Sequence, residues 1–418
     1  MISKFAVKNF SSVRNFSTHC RVAVIGGGTA GMSVSAQLAR SGTFKPEEIH
    51  VFDPRDTHYY QPSFTMIGGG VLGNSRSTVK AKEKTYVKRP MKQIFNTGVN
   101  LIQEEVETFD PENNSFKTNK EEYIYDYLVV APGCKLRYDL IEGASEALDD
   151  PDHPVVSIYR EDYAYKTLKH RELLKNGTAI FYQPQMPIKC GGAPQKIMYL
   201  SESNWKKQGL RDKIDVQYYS ALGVMFPPCE KFSVALNQIR EKASIPVHFH
   251  HLMKKIDKDN MSVTFENEKT QEEVTVDYDF LHVVPPQKSP EFISSSPLAG
   301  KGGFCSANQE TMQHPKYYNV FSCGDVADVP SSKTAATIFA QAPVVVHNIT
   351  QLVESKETNA KYNGYGSCPL FVGDGKLMLA EFKYGQKPCE TFSTKQEKPN
   401  RLFYLMKKEV FPRVYFTF

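Results

Sequence analysis

The stretch Arg21-Val-Ala-Val-Ile-Gly-Gly-Gly-Thr-Ala-Gly31 decides the fold of this chain. Its first residues predict a short buried strand, which runs directly into a G-x-G-x-x-G turn formed by Gly26, Gly28 and Gly31. In such a turn Gly26 allows the sharp bend, Gly28 lets the backbone approach a pyrophosphate, and Gly31 lets helix and strand pack closely. An amphipathic helix and a second strand, residues 49–53, follow. The unit therefore predicts a dinucleotide-binding domain with phosphates at the helix N-terminus.

The second strand ends in Asp53, 22 residues after Gly31. An acidic side chain at this point can bind a pair of ribose hydroxyls, so Asp53 is a candidate cofactor ligand. Gly27, inside the turn, is another candidate cofactor-binding residue. The alternative interpretation is a tight packing turn without a ligand. The complete unit of strand, turn, helix, second strand and acidic residue favours dinucleotide binding over this alternative.

Two later stretches bear on which dinucleotide is bound. Residues 125–133 form an apolar strand that ends in Pro-Gly, and residues 318–325 form another that ends in Gly-Asp. Together with the helix-like segment 333–341 they resemble signatures of the two-dinucleotide-binding-domain flavoproteins. The resemblance implies FAD, with Asp325 near the ribityl–phosphate region and the following helix directed at the isoalloxazine ring. No alkylating Cys or His is evident in the flavin loops, so non-covalent FAD is expected.

Charge and composition exclude several classes of protein. The first 40 residues contain five basic residues and no acidic one, which accounts for the whole net charge of +5. Basic and acidic residues are equal in number in the rest of the chain, so no nucleic-acid-binding face is indicated. Residues 1–19 are rich in Ser, Arg and Lys and have the composition of a mitochondrial transit peptide; a disordered extension is the alternative. No run of 18 apolar residues predicts a spanning helix. Eight scattered cysteines without C-x-x-C argue against zinc or a disulfide-stapled fold.

A second Rossmann-like unit is predicted from about residue 155, but its cofactor turn is missing. After the strand 177–181, residues 183–194 contain three prolines where a second G-x-G-x-x-G would bind a nicotinamide dinucleotide. A proline-rich loop offers few N–H donors to a pyrophosphate. The following strand, 214–219, also ends without an acidic residue. The sequence predicts that this domain has no nicotinamide site.

Cys190 lies in that proline-rich loop, next to Lys189 and at the start of a predicted helix that includes Lys196. A helix N-terminus and nearby cations lower the pKa of a thiol, so Cys190 is predicted to be a reactive thiolate rather than an inert core cysteine. A metal site at His248, His250 and His251 is not expected. Strand alternation places only His248 and His250 on the same face, and no third ligand is near them in sequence. No metal is predicted.

The C-terminal part of the chain contains a second candidate cysteine and a basic, aromatic tail. Cys368 lies in a Gly/Pro turn, 178 residues after Cys190. From residue 395 onward, basic residues alternate with aromatic and aliphatic ones, which is typical of a segment lying in a membrane interface. A terminal helix packed on its own domain is the alternative.

Several stretches resemble the family of eukaryotic, mitochondrial sulfide:quinone oxidoreductases. These stretches are residues 58–62, 187–202, 281–286, 332–336, 364–370 and 404–407. The resemblance implies that Cys190 and Cys368 form a redox disulfide, which hydrogen sulfide attacks to leave a persulfide on Cys368. Electrons would pass from Cys190 through FAD to ubiquinone entering from the membrane. Glutathione, sulfite, cyanide or a second sulfide would take up the sulfane sulfur.

The resemblance also implies roles for further residues. Lys189, Lys196 and Glu146 would act near the disulfide and the flavin, and Lys407 near the quinone. Cys134 has no counterpart in the family pattern and is predicted to be a bystander. The cofactor-binding residues predicted by the motifs and the resemblance are Gly26, Gly27, Gly28, Gly31, Asp53, Gln61, Val106, Gly133, Asp325, Lys333, Thr334, Ala335 and Ala336.

The predicted fold is α/β, with two Rossmann-like domains and a C-terminal membrane-interface region. Its predicted parts are a transit peptide (1–19), the first part of the FAD domain (20–150), the second domain without a nicotinamide site (151–290), the return segment of the FAD domain (291–350), and the C-terminal region (351–418). The expected location is the surface of the inner mitochondrial membrane. Two other functions remain open: an NADH:quinone oxidoreductase of the same architecture, and a non-catalytic flavin-bearing redox sensor.

Overall fold

The protein is described by a computed structural model, which covers residues 18–95 and 98–417. Residues 1–17 of the predicted transit peptide (residues 1–19) lie outside the described residues. Thr18 and His19 already belong to the first strand, which begins three residues before the predicted start at Arg21.

The strands follow one another along the whole chain. They are β1 Thr18–Ile25, β2 Ile49–Phe52, β3 Thr57–Tyr59, β4 Lys88–Pro90, β5 Asn100–Ile102, β6 Val106–Asp110, β7 Ser115–Thr118, β8 Glu122–Val130, β9 Lys135–Leu136, β10 Val155–Val156, β11 Gly177–Gln183, β12 Ile214–Ser220, β13 Val247–Phe249, β14 His251–Asp257, β15 Ser262–Asn267, β16 Glu273–Asp277, β17 Phe280–His282, β18 Gln287–Lys288, β19 Cys305–Ser306, β20 Val320–Ser322, β21 Ala327–Asp328, β22 Gly366–Phe371, β23 Leu377–Lys383 and β24 Lys387–Pro388.

The α-helices are mostly short, and five of them reach 13 residues or more. They are α1 Thr29–Ser41, α2 Pro62–Gly68, α3 Arg76–Lys80, α4 Glu83–Tyr86, α5 Met91–Ile94, α6 Ala144–Asp149, α7 Glu161–Leu173, α8 Ala193–Lys207, α9 Glu230–Lys242, α10 Glu291–Ser294, α11 Ala335–Val353, α12 Arg401–Leu405 and α13 Phe411–Tyr415. A π-helical turn, Met406–Val410, joins α12 to α13.

The first sheet has seven strands in the order β5-β2-β1-β8-β7-β6, with β20 also paired to β8. Strands β5, β2, β1, β8 and β20 run parallel, because helices connect them across the sheet. The carboxyl half of β8 pairs with β20, while its amino half pairs with β7 in antiparallel fashion. This arrangement explains how β20, distant in sequence, returns to the sheet begun by β1.

The second sheet is entirely parallel, in the order β10-β17-β11-β12-β13. Its central strands are apolar on both faces; Ala179, Ile180 and Phe181 of β11, for example, are fully buried. Continuous burial of this kind is typical of a parallel sheet covered by helices on both sides. Two Rossmann-like sheets in one chain confirm the predicted α/β class.

Two three-stranded antiparallel sheets and three two-stranded sheets complete the described part of the fold. Strands β14, β15 and β16 form a meander beside the second sheet, and β22, β23 and β24 form the C-terminal one. The C-terminal segment, defined here as residues 401–417, packs its aromatic residues Phe403, Tyr415 and Phe416 into the core of the first sheet. None of the helices within the described residues is both long and apolar enough to cross a membrane.

Candidate active site

A cavity of about 740 Å³ lies between the carboxyl ends of the parallel strands of the two large sheets and the C-terminal segment. Ligand sites in open α/β sheets form at such carboxyl ends. Twelve of the residues predicted from the sequence line it: Gly28, Gln61, Gly133, Lys189, Cys190, Lys196, Asp325, Lys333, Thr334, Ala335, Ala336 and Lys407. The structure thus brings together residues from the glycine turn, the proline-rich loop, the start of α11 and the C-terminal segment.

The glycine turn has the geometry that a diphosphate requires. Gly26 has φ +101°, and a Cβ there would lie 2.5 Å from the carbonyl oxygen of Ala131. A Cβ at Gly31 would lie 1.8 Å from the carbonyl oxygen of Gly26, so both positions need glycine for packing. At Gly28 a Cβ would meet nothing within 4 Å, because this residue faces the cavity. The free N–H groups at the start of α1 are therefore open to a ligand.

Asp53 is buried beneath this turn, and its carboxylate already has several protein partners. It accepts hydrogen bonds from the Gly27 N–H at 2.7 Å and from the Arg55 guanidinium at 2.6 Å and 2.9 Å. Burial opposes its charge, but the contacts with Arg55 and Gly27 lower its pKa. Arg55 itself lines the cavity. Ribose binding by Asp53 stays a prediction, and Arg55 is a neighbouring cation that the sequence reasoning missed.

The Cys190 and Cys368 sulfurs lie 3.6 Å apart, both as free cysteines. Cys190 lies in the loop ahead of α8, where its N–H donates to the Lys333 carbonyl oxygen at 2.7 Å. It has φ +57°, a left-handed conformation that costs energy in a residue with a Cβ. Cys368 lies in the middle of β22, opposite Ala380 of β23, and not in the turn predicted from its Gly and Pro neighbours. Cys190 faces the cavity, whereas Cys368 is buried against the core of the second sheet.

The charges around this pair favour a thiolate at Cys190. The Lys196 ammonium lies 3.0 Å from the Cys190 sulfur and 3.9 Å from that of Cys368. A hydrogen bond from the Cys368 thiol and the positive charge of Lys196 lower the pKa of Cys190 far below its usual range, although burial opposes this. The pKa of Cys368 is raised by the same hydrogen bond and by burial. Cys190 is therefore the better leaving group of a disulfide.

Two further lysines lie in the cavity wall near the cysteine pair. Lys189 donates from Nζ to Oε1 of Gln61 at 2.7 Å, and burial lowers its pKa. Lys333 donates to the backbone carbonyl of Asp325, and burial likewise lowers its pKa. Burial raises the pKa of the Asp325 carboxyl. All three residues are half-buried and line the cavity.

Lys407 enters the cavity from the π-helical turn. Its ammonium is buried and donates to the Tyr60 hydroxyl at 2.7 Å. Burial and the nearby charge of Lys196 lower the pKa of Lys407 to about 7. This side chain can therefore gain or lose a proton near neutral pH.

Two of the predicted residues lie elsewhere. Glu146 is exposed on α6 and is not part of the cavity wall. Val106 is buried in β6, where it pairs with Thr118 of β7. The structure does not bring Glu146 to the cysteine pair.

One cavity residue that the sequence reasoning missed is Glu381 on β23. Its buried carboxylate accepts from the Tyr365 hydroxyl, from the N–H and hydroxyl of Thr391, and from the Gln396 amide. These neutral donors lower its pKa, although burial opposes the charge. Since its partners are spread over 32 residues of chain, no local spacing could have identified it.

Cys134 and His248 each contact a neighbouring side chain of the protein. Cys134 donates to Gln287 at 3.2 Å, and burial raises its pKa to about 12. His248 stacks on Tyr219 with ring centroids 4.2 Å apart. Within residues 18–95 and 98–417, no group of three or more His, Cys, Asp or Glu side chains could hold a metal ion.

The Lys196→Met variant tests the origin of the Cys190 thiolate. In anaerobic, fully reduced enzyme, iodoacetamide should alkylate Cys190 faster at pH 7 than an ordinary thiol, because the hydrogen bond from Cys368 and the charge of Lys196 lower its pKa. Removing the ammonium should raise that pKa and slow alkylation at pH 7 by at least about tenfold. Lys206→Met, on the exposed side of the same helix, is the control. An unchanged rate in Lys196→Met would contradict the role of Lys196.

Comparisons with known proteins agree with this geometry. The family model described as "Pyridine nucleotide-disulphide oxidoreductase" matches residues 20–176. A structure of the sulfide:quinone oxidoreductase from Aquifex aeolicus superposes with a TM-score of 0.74 at 21% identity, over 96% of this chain and 92% of that one. Fold and family together define a flavoprotein oxidoreductase, here with a pair of cysteines beside a large cavity.

Two relatives narrow this class further. The mitochondrial sulfide:quinone oxidoreductase of Schizosaccharomyces pombe is 39% identical to the chain over 423 residues, covering 96% of the chain and 90% of that protein. The Mus musculus enzyme of the same name is 35% identical over 401 residues, covering 96% and 86%. The chain belongs to the mitochondrial sulfide:quinone oxidoreductase family. FAD is its cofactor, and the open space at Gly28 beside the α1 N-terminus fits a dinucleotide phosphate.

Proposed function

We propose that the protein oxidises hydrogen sulfide at the Cys190–Cys368 pair and passes the electrons through FAD to a quinone. The observation that carries this proposal is the 3.6 Å contact between the two sulfurs beside the Lys196 ammonium, at the wall of the cavity. At this separation a disulfide can form with small side-chain movements.

The reaction begins with the pair oxidised to a disulfide. Hydrosulfide attacks Sγ of Cys368, the Cys368–Cys190 bond breaks, and Cys190 leaves as a thiolate. Cys368 then carries the persulfide, and the sulfur of the substrate is bonded to its Sγ. Lys196 stabilises the leaving thiolate because its Nζ lies 3.0 Å from the Cys190 sulfur.

The two cysteines have different surroundings, which supports different roles. Cys190 lines the cavity, so its thiolate is the one that can contact a bound flavin. Cys368 is on the buried side of β22, directly behind Cys190, with 3.6 Å between the two sulfurs. When bound, FAD accepts two electrons from the cysteine side and releases them to the quinone. Lys407, whose pKa is about 7, is placed to supply a proton to a quinone oxygen in the cavity.

The sulfane sulfur must then leave Cys368 before the disulfide re-forms. We assign this step to a small nucleophile: glutathione, sulfite, cyanide or a second sulfide. With sulfite the balance is H₂S plus SO₃²⁻ plus quinone giving S₂O₃²⁻ plus quinol, which conserves atoms and transfers two electrons.

Ubiquinone and the surface of the inner mitochondrial membrane are the proposed partners. The outer face of the C-terminal segment exposes four aliphatic side chains, a pattern suited to a lipid interface. They are Leu402, Leu405, Val410 and Val414. Since Val410, Val414 and Lys407 also line the cavity, a quinone leaving the lipid would meet the cavity at this face.

Oxidation of NADH is the competing function, and the loop between β11 and α8 argues against it. This loop, residues 184–192, contains Cys190 and two prolines where a dinucleotide would need backbone N–H donors. The helix that follows begins with Ala193 and Pro194, and its start contacts the cysteine pair instead.

An anaerobic titration distinguishes these functions. Sulfide added to the purified enzyme should bleach the oxidised-flavin band near ~450 nm, and a soluble ubiquinone should restore it. NADH should leave the band unchanged. Bleaching by NADH without bleaching by sulfide would overturn the proposal, and bleaching by neither would favour a non-catalytic flavin-bearing protein.

A further inference from the structure

A chain of side-chain hydrogen bonds joins the C-terminal segment to the glycine turn. The Tyr415 hydroxyl, on α13, lies 2.8 Å from Oγ1 of Thr29 and 2.7 Å from Nε2 of His58. The other ring nitrogen of His58, Nδ1, lies 2.9 Å from the Gly27 carbonyl oxygen. Tyr415 and Gly27 are thus connected through a single imidazole, although they are far apart in sequence.

The direction of every bond in this chain follows from its two ends. The Gly27 carbonyl can only accept, so Nδ1 of His58 carries a proton and donates. Burial lowers the pKa of His58 to about 4, so the ring is neutral and Nε2 accepts from the Tyr415 hydroxyl. The Tyr415 oxygen in turn accepts from the hydroxyl of Thr29. No other assignment satisfies all three contacts with a neutral ring.

The hydrogen bond between His58 and Tyr415 is shielded from water. His58 is 1% exposed and Tyr415 is 2% exposed. Their rings stack with centroids 5.7 Å apart and planes inclined at 28°, and the Tyr60 ring lies 4.6 Å from that of Tyr415. Hydrogen bonds shielded in this way hold their geometry, and a group that loses its partner there cannot turn to solvent.

We propose that Tyr415 is a positioning residue for FAD, holding the glycine turn in its binding conformation through His58 and Thr29. Gly27 is held on both sides: its carbonyl oxygen accepts from His58, and its N–H donates to Asp53 at 2.7 Å. Peptides between glycines rotate easily, so a turn without these restraints would lose order that a phosphate ligand must restore. The inference rests on the proposed placement of the FAD pyrophosphate at the N-terminus of α1.

The Tyr415→Phe variant removes the hydroxyl without detaching the C-terminal segment. Two other contacts hold that segment in place. The Arg89 guanidinium donates to the Phe416 carbonyl oxygen at 2.9 Å, and the Tyr86 hydroxyl donates to Glu409 at 2.7 Å. The aromatic ring of the variant would retain the packing against His58 and Tyr60, because the substitution removes only one oxygen.

The experiment measures the release of FAD from the purified holoenzyme. After dilution, flavin fluorescence should recover about tenfold faster from Tyr415→Phe than from the wild type. Tyr404→Phe is the matched control, since its hydroxyl makes no hydrogen bond within the described residues and its ring packs against Phe371. The thermal midpoint of the FAD-free protein is measured in parallel.

The outcomes separate three explanations. Faster release in Tyr415→Phe, with a smaller stabilisation of the protein by added FAD, supports the positioning role. Unchanged release with equal losses in the midpoints of the FAD-free and FAD-bound proteins would overturn it and leave a purely structural contact. If Gly28→Val, which fills the cavity side of the same turn, also retains normal FAD affinity, then the placement of the cofactor is wrong and not only the role of Tyr415.

Discussion

Replacing Cys190 by serine is expected to lower sulfide-dependent quinone reduction at least about 10³-fold while FAD remains bound. A serine oxygen cannot form the bond to Cys368 that hydrosulfide must break. A serine hydroxyl is also much less acidic than a thiol, so it would not form the anion that the Lys196 ammonium, 3.0 Å from the Cys190 sulfur, stabilises in the wild type. The measurement is the steady-state reduction of a soluble ubiquinone by sulfide, with the flavin absorbance recorded on the same sample.

Two companion variants make this result specific to the pair. Cys368→Ser should be equally inactive, because either change prevents the disulfide. Cys389→Ser should keep full activity, since Cys389 lies outside the cavity wall. If Cys190→Ser retained more than a tenth of the activity, the cysteine pair would not be the site of sulfide oxidation. If that variant oxidised NADH as well as the wild type did, the competing function would be favoured.

Replacing Gly28 by valine is expected to give a protein that folds but purifies without flavin. Gly28 has φ −71° and ψ −167°, a conformation open to any residue, and an added Cβ would meet no protein atom within 4 Å. The new side chain would therefore occupy the space that a pyrophosphate needs at the start of α1. The ratio of flavin to protein absorbance after purification reports the loss.

The FAD-free forms of the variant and the wild type provide the control. Valine is a poor helix N-cap, so the free energy of unfolding of the FAD-free protein should fall by at most about 1 kcal/mol. Gly28→Ala, with one added carbon, should bind FAD more weakly than the wild type but better than Gly28→Val. Full flavin content in Gly28→Val would show that the cofactor phosphates do not lie at this turn.

The parts of the fold that are set by residues close together in the sequence could be predicted. Strand β1, the glycine turn and α1 follow one another without interruption, and Gly26 and Gly31 are sterically required at the spacing of the motif. The α/β class follows from this unit and its repetition in β11 and α8. A helix start at Cys190 would be too early, because Cys190 has a left-handed conformation and Gly192 is the N-cap of α8.

The parts of the site that depend on tertiary contacts could not be predicted from spacing. Cys190 and Cys368 are 178 positions apart, and only the resemblance to a known family paired them. The bond between Lys407 and Tyr60 spans 347 positions, and that between His58 and Tyr415 spans 357. Such contacts arise where separate elements meet, so no local pattern of residues indicates them.

The π-helical turn at Met406–Val410 has a geometric consequence for the C-terminal segment. A regular α-helix advances roughly 100° per residue, which would rotate Val414 about 120° away from Leu402. A π-turn accommodates one extra residue, which reduces this angle to roughly 20° and brings the two side chains to the same side. The inserted position thus aligns the exposed aliphatic side chains of the C-terminal segment along one side, while Lys407, within the same turn, stays buried.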